Sequence, residues 1–269
     1  MKTTNVYLTD KRYKQYTEQQ YHELINARLI QEGLLPKKRH FSRVFDESFV
    51  LFKPLNIISG DFYWVGKRNK NKYLVVGDCT GHGISAALLS VLAINLFQYA
   101  IMTKGLKRTD QILREVDRKF IESFKSAKGK NFDNPWIDLS IVCIDEESNT
   151  CYFSSANRKL LLVKNKEMLV KIGNRYPIGG WQLEKKRNFE PQAFSIEKGD
   201  KIFLGSDGFQ DQIGGESNKR YKSKKLHEFL FENRHISLLH LKKKLNHEFD
   251  TWKAGQDQVD DVCIVGIKI

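Results

Sequence analysis

Polar and apolar positions divide the chain into blocks of different period. Residues 11–35 are charged and helix-prone, ending in LIQEGLLPKKRH, and Pro36 is expected to stop that helix. Strand-like segments follow: SFVLFKPLN, IISGDFYWVG and KYLVVGD, the last two separated by a polar, turn-like KRNKN at 67–71. From Gly83 to Thr103 the chain carries no charge, and this run is nearly long enough to span a bilayer. Ser85, Ser90, Asn95 and Gln98 interrupt it, and it follows directly on a glycine-rich turn, so a buried core helix is the preferred reading. A second helix is expected over 109–126. LSIVCID and TCYFSSAN, joined by the polar turn EESN, and then KLLLVKN have the β-rich character of hairpins. KIFLGSD at 201–207 reads as another strand, followed by a Gly- and Lys-rich loop, helical residues over about 224–253, and the apolar run VCIVGIKI, a central strand. Strands, two helices, strands, helices and a strand, grouped in this way, point to an α+β layered domain, not alternating βαβ units.

Composition narrows the partners only slightly. The 269 residues suit one large domain, or one domain with an appendage, and 41% hydrophobic residues supply a core. The formal charge of +13 favours phosphate-bearing partners, nucleic acid or anionic membranes. The basic runs lack interleaved aromatics, so no nucleic-acid partner is expected, and no membrane association either. Cysteines stand at 79, 143, 151 and 263 with no CxxC spacing, as for free thiols in a reducing compartment, and no disulfide between Cys143 and Cys151 is expected. Met1 to Tyr21 is polar and charged, without the character of a signal peptide, and a cytoplasmic location is expected.

The chemistry lies in aspartates placed where strands end, begin or turn: Asp61 in SGDFYW, Asp78 in VVGDCTGHG, Asp207 in LGSDGF, and Asp260 and Asp261 in VDDVCIV. If 67–71 turns a hairpin about Asn69, Asp61 and Asp78 become near cross-strand partners. Opposed side chains on antiparallel strands have Cβ atoms roughly 4.5–5.5 Å apart, so the two charges repel unless a cation offsets them. Two hard cations bridged by carboxylate would fit that gap, and oxygen-only ligation favours Mg2+ or Mn2+ over Zn2+. Asp207 and Asp260 would join them if their strands neighbour the hairpin. A lone Asp near Gly is ordinarily a turn or cap residue; four in matched strand contexts are not explained that way. Gly81 and Gly83 allow a sharp turn after Asp78, and the helix starting near Ile84 aims its positive end at that turn.

Together, SGDFYW, VGDCTGHGISAALL, SSANRKLLLV, GDKIFLGSDGFQDQIGG and QVDDVCIVGIKI resemble, in order and approximate spacing, the PPM family of metal-dependent serine/threonine protein phosphatases, in its bacterial SpoIIE-like branch. The resemblance runs from about residue 25 to 269 and implies a four-layer α-β-β-α sandwich of two antiparallel sheets flanked by helices. It divides the chain into an N-terminal helical extension, 1–42, and a phosphatase domain, 43–269. It makes Asp61 and Asp78 bridging ligands of two Mn2+ or Mg2+ ions, with the Cys79 carbonyl, Asp207 and Asp260 completing the site and Asp261 in a supporting role. The implied reaction is attack of a metal-bound water on phosphoserine or phosphothreonine of a signalling regulator, such as an anti-sigma antagonist or two-component protein. His82 is the candidate proton donor to the leaving oxygen, with a structural role at the helix start weighed equally. Cys79 lacks the downstream phosphate-cradling Arg of a cysteine phosphatase. Asp138 is a candidate for a third, weaker ion, although a strand end is the preferred reading, and Lys53 is read as a solvated strand-edge lysine ahead of a phosphate contact. Relatives often carry an acidic residue where this chain has Trp64. The basic loop 214–225 reads equally as a docking surface and as a solvated loop, and residues 11–35 as an input or homodimerisation element. The alternative is a catalytically weak metal-binding module of the same fold.

Overall fold

The computed structural model describes residues 17–125, 134–181, 183–184 and 187–269. Residues 11–16 and 126 of the expected helices lie outside them. In chain order the elements are α1 (Glu18–Leu34), α2 (Lys38–Ser42), β1 (Glu47–Lys53), β2 (Asp61–Arg68), β3 (Asn71–Cys79), α3 (Ile84–Gln98), continued by a π-helical turn Tyr99–Thr103, and α4 (Thr109–Ser123). Next come β4 (Trp136–Asp145), β5 (Thr150–Ala156), β6 (Lys159–Val163), β7 (Met168–Ile172), β8 (Ile178–Gly179), β9 (Gln192–Ser195) and β10 (Lys201–Gly205). The chain closes with α5 (Gly208–Asp211), β11 (Ile213–Gly214), β12 (Lys219–Arg220), α6 (Ser223–Glu232), α7 (Leu238–Lys253) and β13 (Val262–Lys268).

Two antiparallel sheets stack face to face. One has strand order β1-β13-β10-β6-β7; the other runs β2-β3-β4-β5-β9, with β8 added beside β4. Period-two alternation sorts the first sheet cleanly. Val50, Phe52, Leu160, Leu162, Ile202, Leu204, Cys263 and Val265 face the second sheet. Their neighbours Phe49, Leu51, Leu161, Val163, Phe203, Val262 and Ile264 pack instead on Leu226, Leu230, Leu241, Leu245 and Phe249 of α6 and α7. The second sheet is covered by α4, which buries Ile112, Leu113, Val116 and Phe120, and by α3. This is the α-β-β-α sandwich, with β13 an interior strand between β1 and β10.

The apolar helix α3 is only half a core helix. Ala86, Ala93, Ile94 and Phe97 are buried, whereas Ile84 and Leu88 face solvent. With its π-helical turn it is long and apolar enough to cross a membrane, yet one face packs on the sheet. The helical stretch expected over 224–253 is two helices, broken at Asn233–Ser237, where the Ser237 hydroxyl caps α7 by accepting from the His240 amide. Helix α1 stops at Leu34, two residues before Pro36.

Candidate metal centre

The hairpin β2–β3 turns at Asn69 and Lys70, where Asn69 adopts a positive φ of 55°, as tight hairpins favour. That turn fixes the register, and Asp61 is paired directly with Asp78. Strand β4 then places Asp138 opposite Asp78. Directly opposed residues share a face, so Asp61, Asp78 and Asp138 form a row at one end of the second sheet. Asp138 is the third residue of β4, inside the strand, so the strand-end reading is corrected.

The other sheet closes on this row from across the sandwich. Asp207 stands two residues past the end of β10, after Ser206, and Asp260 and Asp261 precede β13. Ser206 Oγ donates to Asp61 Oδ2 at 2.6 Å and accepts from the Cys263 amide at 3.0 Å, which ties the sheets together beneath the carboxylates. Asp261 is buried and accepts from the amides of Leu55 (2.6 Å) and Gly60 (2.7 Å), so its oxygens are spent on shaping the loop before β2. Among the described residues, Asp260 Oδ1 accepts only from the neighbouring Asp261 amide, at 2.8 Å.

Burial and mutual repulsion govern the ionisation. Burial, then the nearby charge of Asp78, raises Asp61 well above the usual carboxylate range. Asp78 is pushed up to about 8, by burial first, against the pull of Arg158. Burial likewise raises Asp138 and Asp260. Asp207 alone goes the other way: burial would raise it, but the charge and hydrogen bond of Arg158 outweigh that and hold it low.

Arg158 is the residue at this site that the sequence reading missed, although SSANRKLLLV contains it. It sits between β5 of one sheet and β6 of the other, so the chain crosses the sandwich here, with Asn157 in a left-handed turn (φ 60°). Its guanidinium bonds Asp78 through Nη2 and Asp207 through Nη1 at 2.8 Å, and lies 3.8 Å from Asp138. The available signal was an arginine immediately after an Asn at a strand junction, and nothing local distinguishes it from a solvated turn residue.

The remaining predicted residues are dispersed more widely. The Cys79 side chain is buried and its thiol is pushed well above its ordinary range, chiefly by burial and then by Asp78, which disfavours a thiolate nucleophile. His82 is exposed on the turn Gly81–Gly83, both of whose glycines have φ of 78°. Lys53 pairs with Asp250 of α7 at 2.8 Å. Trp64 donates to Gln98 of α3 at 3.2 Å, so its indole bonds a helix instead of the acidic row.

These residues suit hard divalent ions in kind. Asp61 Oδ1 is buried with no hydrogen-bond partner among the described residues, an acceptor that calls for a cation. A Cβ on Gly60 would come within 3.2 Å of the Cys79 carbonyl oxygen and 3.3 Å of that of Gly81, so main-chain oxygens converge beside Asp61. Every donor is oxygen. In their present arrangement, however, no three acidic, histidine or cysteine side chains among the described residues close tightly enough to enclose an ion, and Arg158 stands among them.

Comparison with known proteins agrees with this fold. A family model described as Stage II sporulation protein E (SpoIIE) matches residues 68–269, beginning at the end of β2. The phosphoserine phosphatase RsbP of Bacillus subtilis (strain 168) is 23% identical over 249 residues, covering 92% of this chain and 58% of RsbP, so the chain spans a little over half of that relative. The SiaA-PP2C domain of Pseudomonas aeruginosa superposes with a TM-score of 0.83 at 25% identity, covering 93% of this chain and 96% of that one. The PP2C phosphatase domain of SpoIIE from Bacillus subtilis, with a fragment of its regulatory domain, gives 0.65 at 16% identity, covering 82% and 62%. The chain belongs to the SpoIIE family of the PPM phosphatases.

Proposed function

We propose that the chain is a cytoplasmic, Mn2+- or Mg2+-dependent protein phosphatase that hydrolyses phosphoserine or phosphothreonine on a signalling regulator. The observation that carries this is the convergence of Asp61, Asp78, Asp207 and Asp260 from both sheets beside the orphaned Asp61 Oδ1. Asp61, Asp78, Asp207, Asp260 and the Cys79 carbonyl would hold two ions, with Asp138 beside a third. When bound, the ions supply the charge that acidifies an attacking water and neutralises the phosphoryl oxygens. The chain's own part is orientation. Ser206 fixes one Asp61 oxygen, and Asp261 fixes the Leu55–Gly60 loop. Helix α3 begins six residues after Asp78, with Gly83 at its N-cap, and the amides of its first turn have no intrahelical acceptor. His82, exposed on that turn, is the donor to the leaving serine oxygen.

RsbP, named a phosphoserine phosphatase, supports a phosphoprotein substrate. Four buried, unpaired thiols support a reducing compartment. Leu29, Ile30 and Leu34, exposed on α1, support dimerisation through that helix. The alternative, a metal-binding module without turnover, is favoured by Arg158 holding Asp78 and Asp207. Turnover of a phosphoserine protein with and without Mn2+ decides between them. Activity should require metal and fall by about 100-fold or more in Asp78→Asn and in Asp207→Asn. Metal-independent turnover, or full activity in both variants, refutes the proposal; folded protein that binds Mn2+ without turnover establishes the alternative.

A further inference from the structure

The carboxylate row already has a cation of its own. Arg158 bridges Asp78 and Asp207 with the two terminal nitrogens of one planar fork and reaches Asp138 with the same nitrogen that holds Asp78. It is not a surface arginine that has folded down. Its side chain is 11% exposed, and its Nε is buried with no partner among the described residues. The turn that carries it is built in place: Ser155 Oγ donates to the Arg158 carbonyl at 2.6 Å, the Asn157 amide donates to the Asn174 carbonyl at 2.8 Å, and Asn157 Nδ2 donates to Asp138 Oδ1 at 2.8 Å.

We propose that Arg158 is a resident counter-cation that competes with divalent metal for Asp78 and Asp207 and so sets the metal affinity of the centre. The inference rests on the two-ion reading above. A hard ion such as Mn2+ or Mg2+ draws carboxylate oxygens to roughly 2.0–2.2 Å around one point. The guanidinium instead holds the Asp207 oxygen 2.8 Å from Nη1 and the Asp78 oxygen on Nη2. It thereby spreads the two ligands along the edge of a fork. Its positive charge also repels an incoming ion across a buried, weakly screened site. Both effects have one sign. Binding requires the fork to release at least one carboxylate, and the apparent affinity falls by the fraction of molecules in which it has done so. A residue that only oriented the ligands would act oppositely, since its removal would weaken binding.

Calorimetric titration of chelator-treated protein with Mn2+, without substrate, tests this. Arg158→Gln should bind Mn2+ about tenfold more tightly or better than wild type. Arg158→Lys keeps one charge without the fork and should fall between them; it also carries the test if the glutamine variant does not fold. Tighter binding in the order wild type, lysine, glutamine supports the proposal, as does binding seen only in the variants. Equal or weaker binding by the variants overturns it while leaving the two-ion reading intact. No Mn2+ binding by any of the three overturns both.

Discussion

Replacing Gln31 with leucine should destabilise the protein and loosen the acidic centre together. Gln31 is 4% exposed and, among the described residues, is the one polar anchor of α1 on the loop before β2. Its amide nitrogen donates to the Ser59 carbonyl (2.6 Å) and to Ser90 Oγ (2.9 Å), and its oxygen accepts from the Ser59 amide at 3.1 Å. Ser59 in turn accepts from the Asp61 amide on its own hydroxyl at 3.1 Å, so the route from helix to carboxylate is two residues long. Leucine nearly conserves volume but leaves the buried amide and carbonyl of Ser59 unpaired, each at about 1–3 kcal/mol, so roughly 2–4 kcal/mol should be lost after the apolar gain. For a domain of this size that lowers Tm on the order of 10 °C. Thermal melts by circular dichroism measure the first effect. Amide exchange at Ser59–Asp61 and Mn2+ titration measure the second, with faster exchange and weaker binding expected. A melt within a degree or two of wild type, or an unchanged exchange rate at Asp61, would refute the coupling argued from these bonds.

Three further outcomes follow from the same contacts. In chelator, Tm should fall between pH 5 and 9. Asp61 and Asp78 are raised when folded, Asp78 to about 8, so between their unfolded value near 4 and those folded values the native state holds protons that the unfolded chain has lost; a flat or rising profile would contradict the raised values. Gly208→Ala should cost about 3 kcal/mol or more in urea unfolding, because its Cβ would lie 1.9 Å from the Asp261 carbonyl oxygen, which is backbone and cannot step aside; a loss below about 1 kcal/mol would mean the Asp207 turn is softer than its packing implies. Neutralising Lys219 and Lys222 should reduce turnover of a phosphoprotein roughly tenfold at low salt while sparing a small phosphate ester, and equal effects would reject docking. Lys225 is left out because it pairs with Glu248 and lies 4.0 Å over the Trp252 ring.

The hairpin that sets the site was legible because its evidence is local. A polar turn between two apolar runs fixes a midpoint, and the midpoint fixes that Asp61 meets Asp78. The same holds for the interior strand β13, whose uninterrupted VCIVGIK is buried on both faces. Asp138 was misjudged because its meaning depends on which strand lies beside β3, and β4 is reached only after two intervening helices. Strands β7 and β9 went unread for a different reason: both lie at sheet edges and bury none of their residues fully, which gives little apolar signal. Arg158 is the extreme case. Its partners at 78, 138 and 207 are brought to it by two sheets and a crossing, and none is near it in the chain.

That crossing also explains how so much negative charge tolerates one end of a folded domain. Asp61, Asp78, Asp138, Asp207, Asp260 and Asp261 meet there, and Arg158 is the cation bonded among them. Asp207, held by Arg158 Nη1 at 2.8 Å, keeps its charge, while burial and the neighbouring Asp78 raise Asp61, one oxygen of which accepts from the Ser206 hydroxyl. Asp261 relieves part of the strain by turning its oxygens to amides, and Asp138 by accepting from Asn157. What remains under-neutralised is the pair Asp61 and Asp78, opposed across the hairpin beside the orphaned oxygen. The unfavourable electrostatics of the fold are therefore concentrated where a divalent ion gains most by binding. Any ion that relieves them stabilises the fold by an amount that grows with its free concentration relative to its Kd.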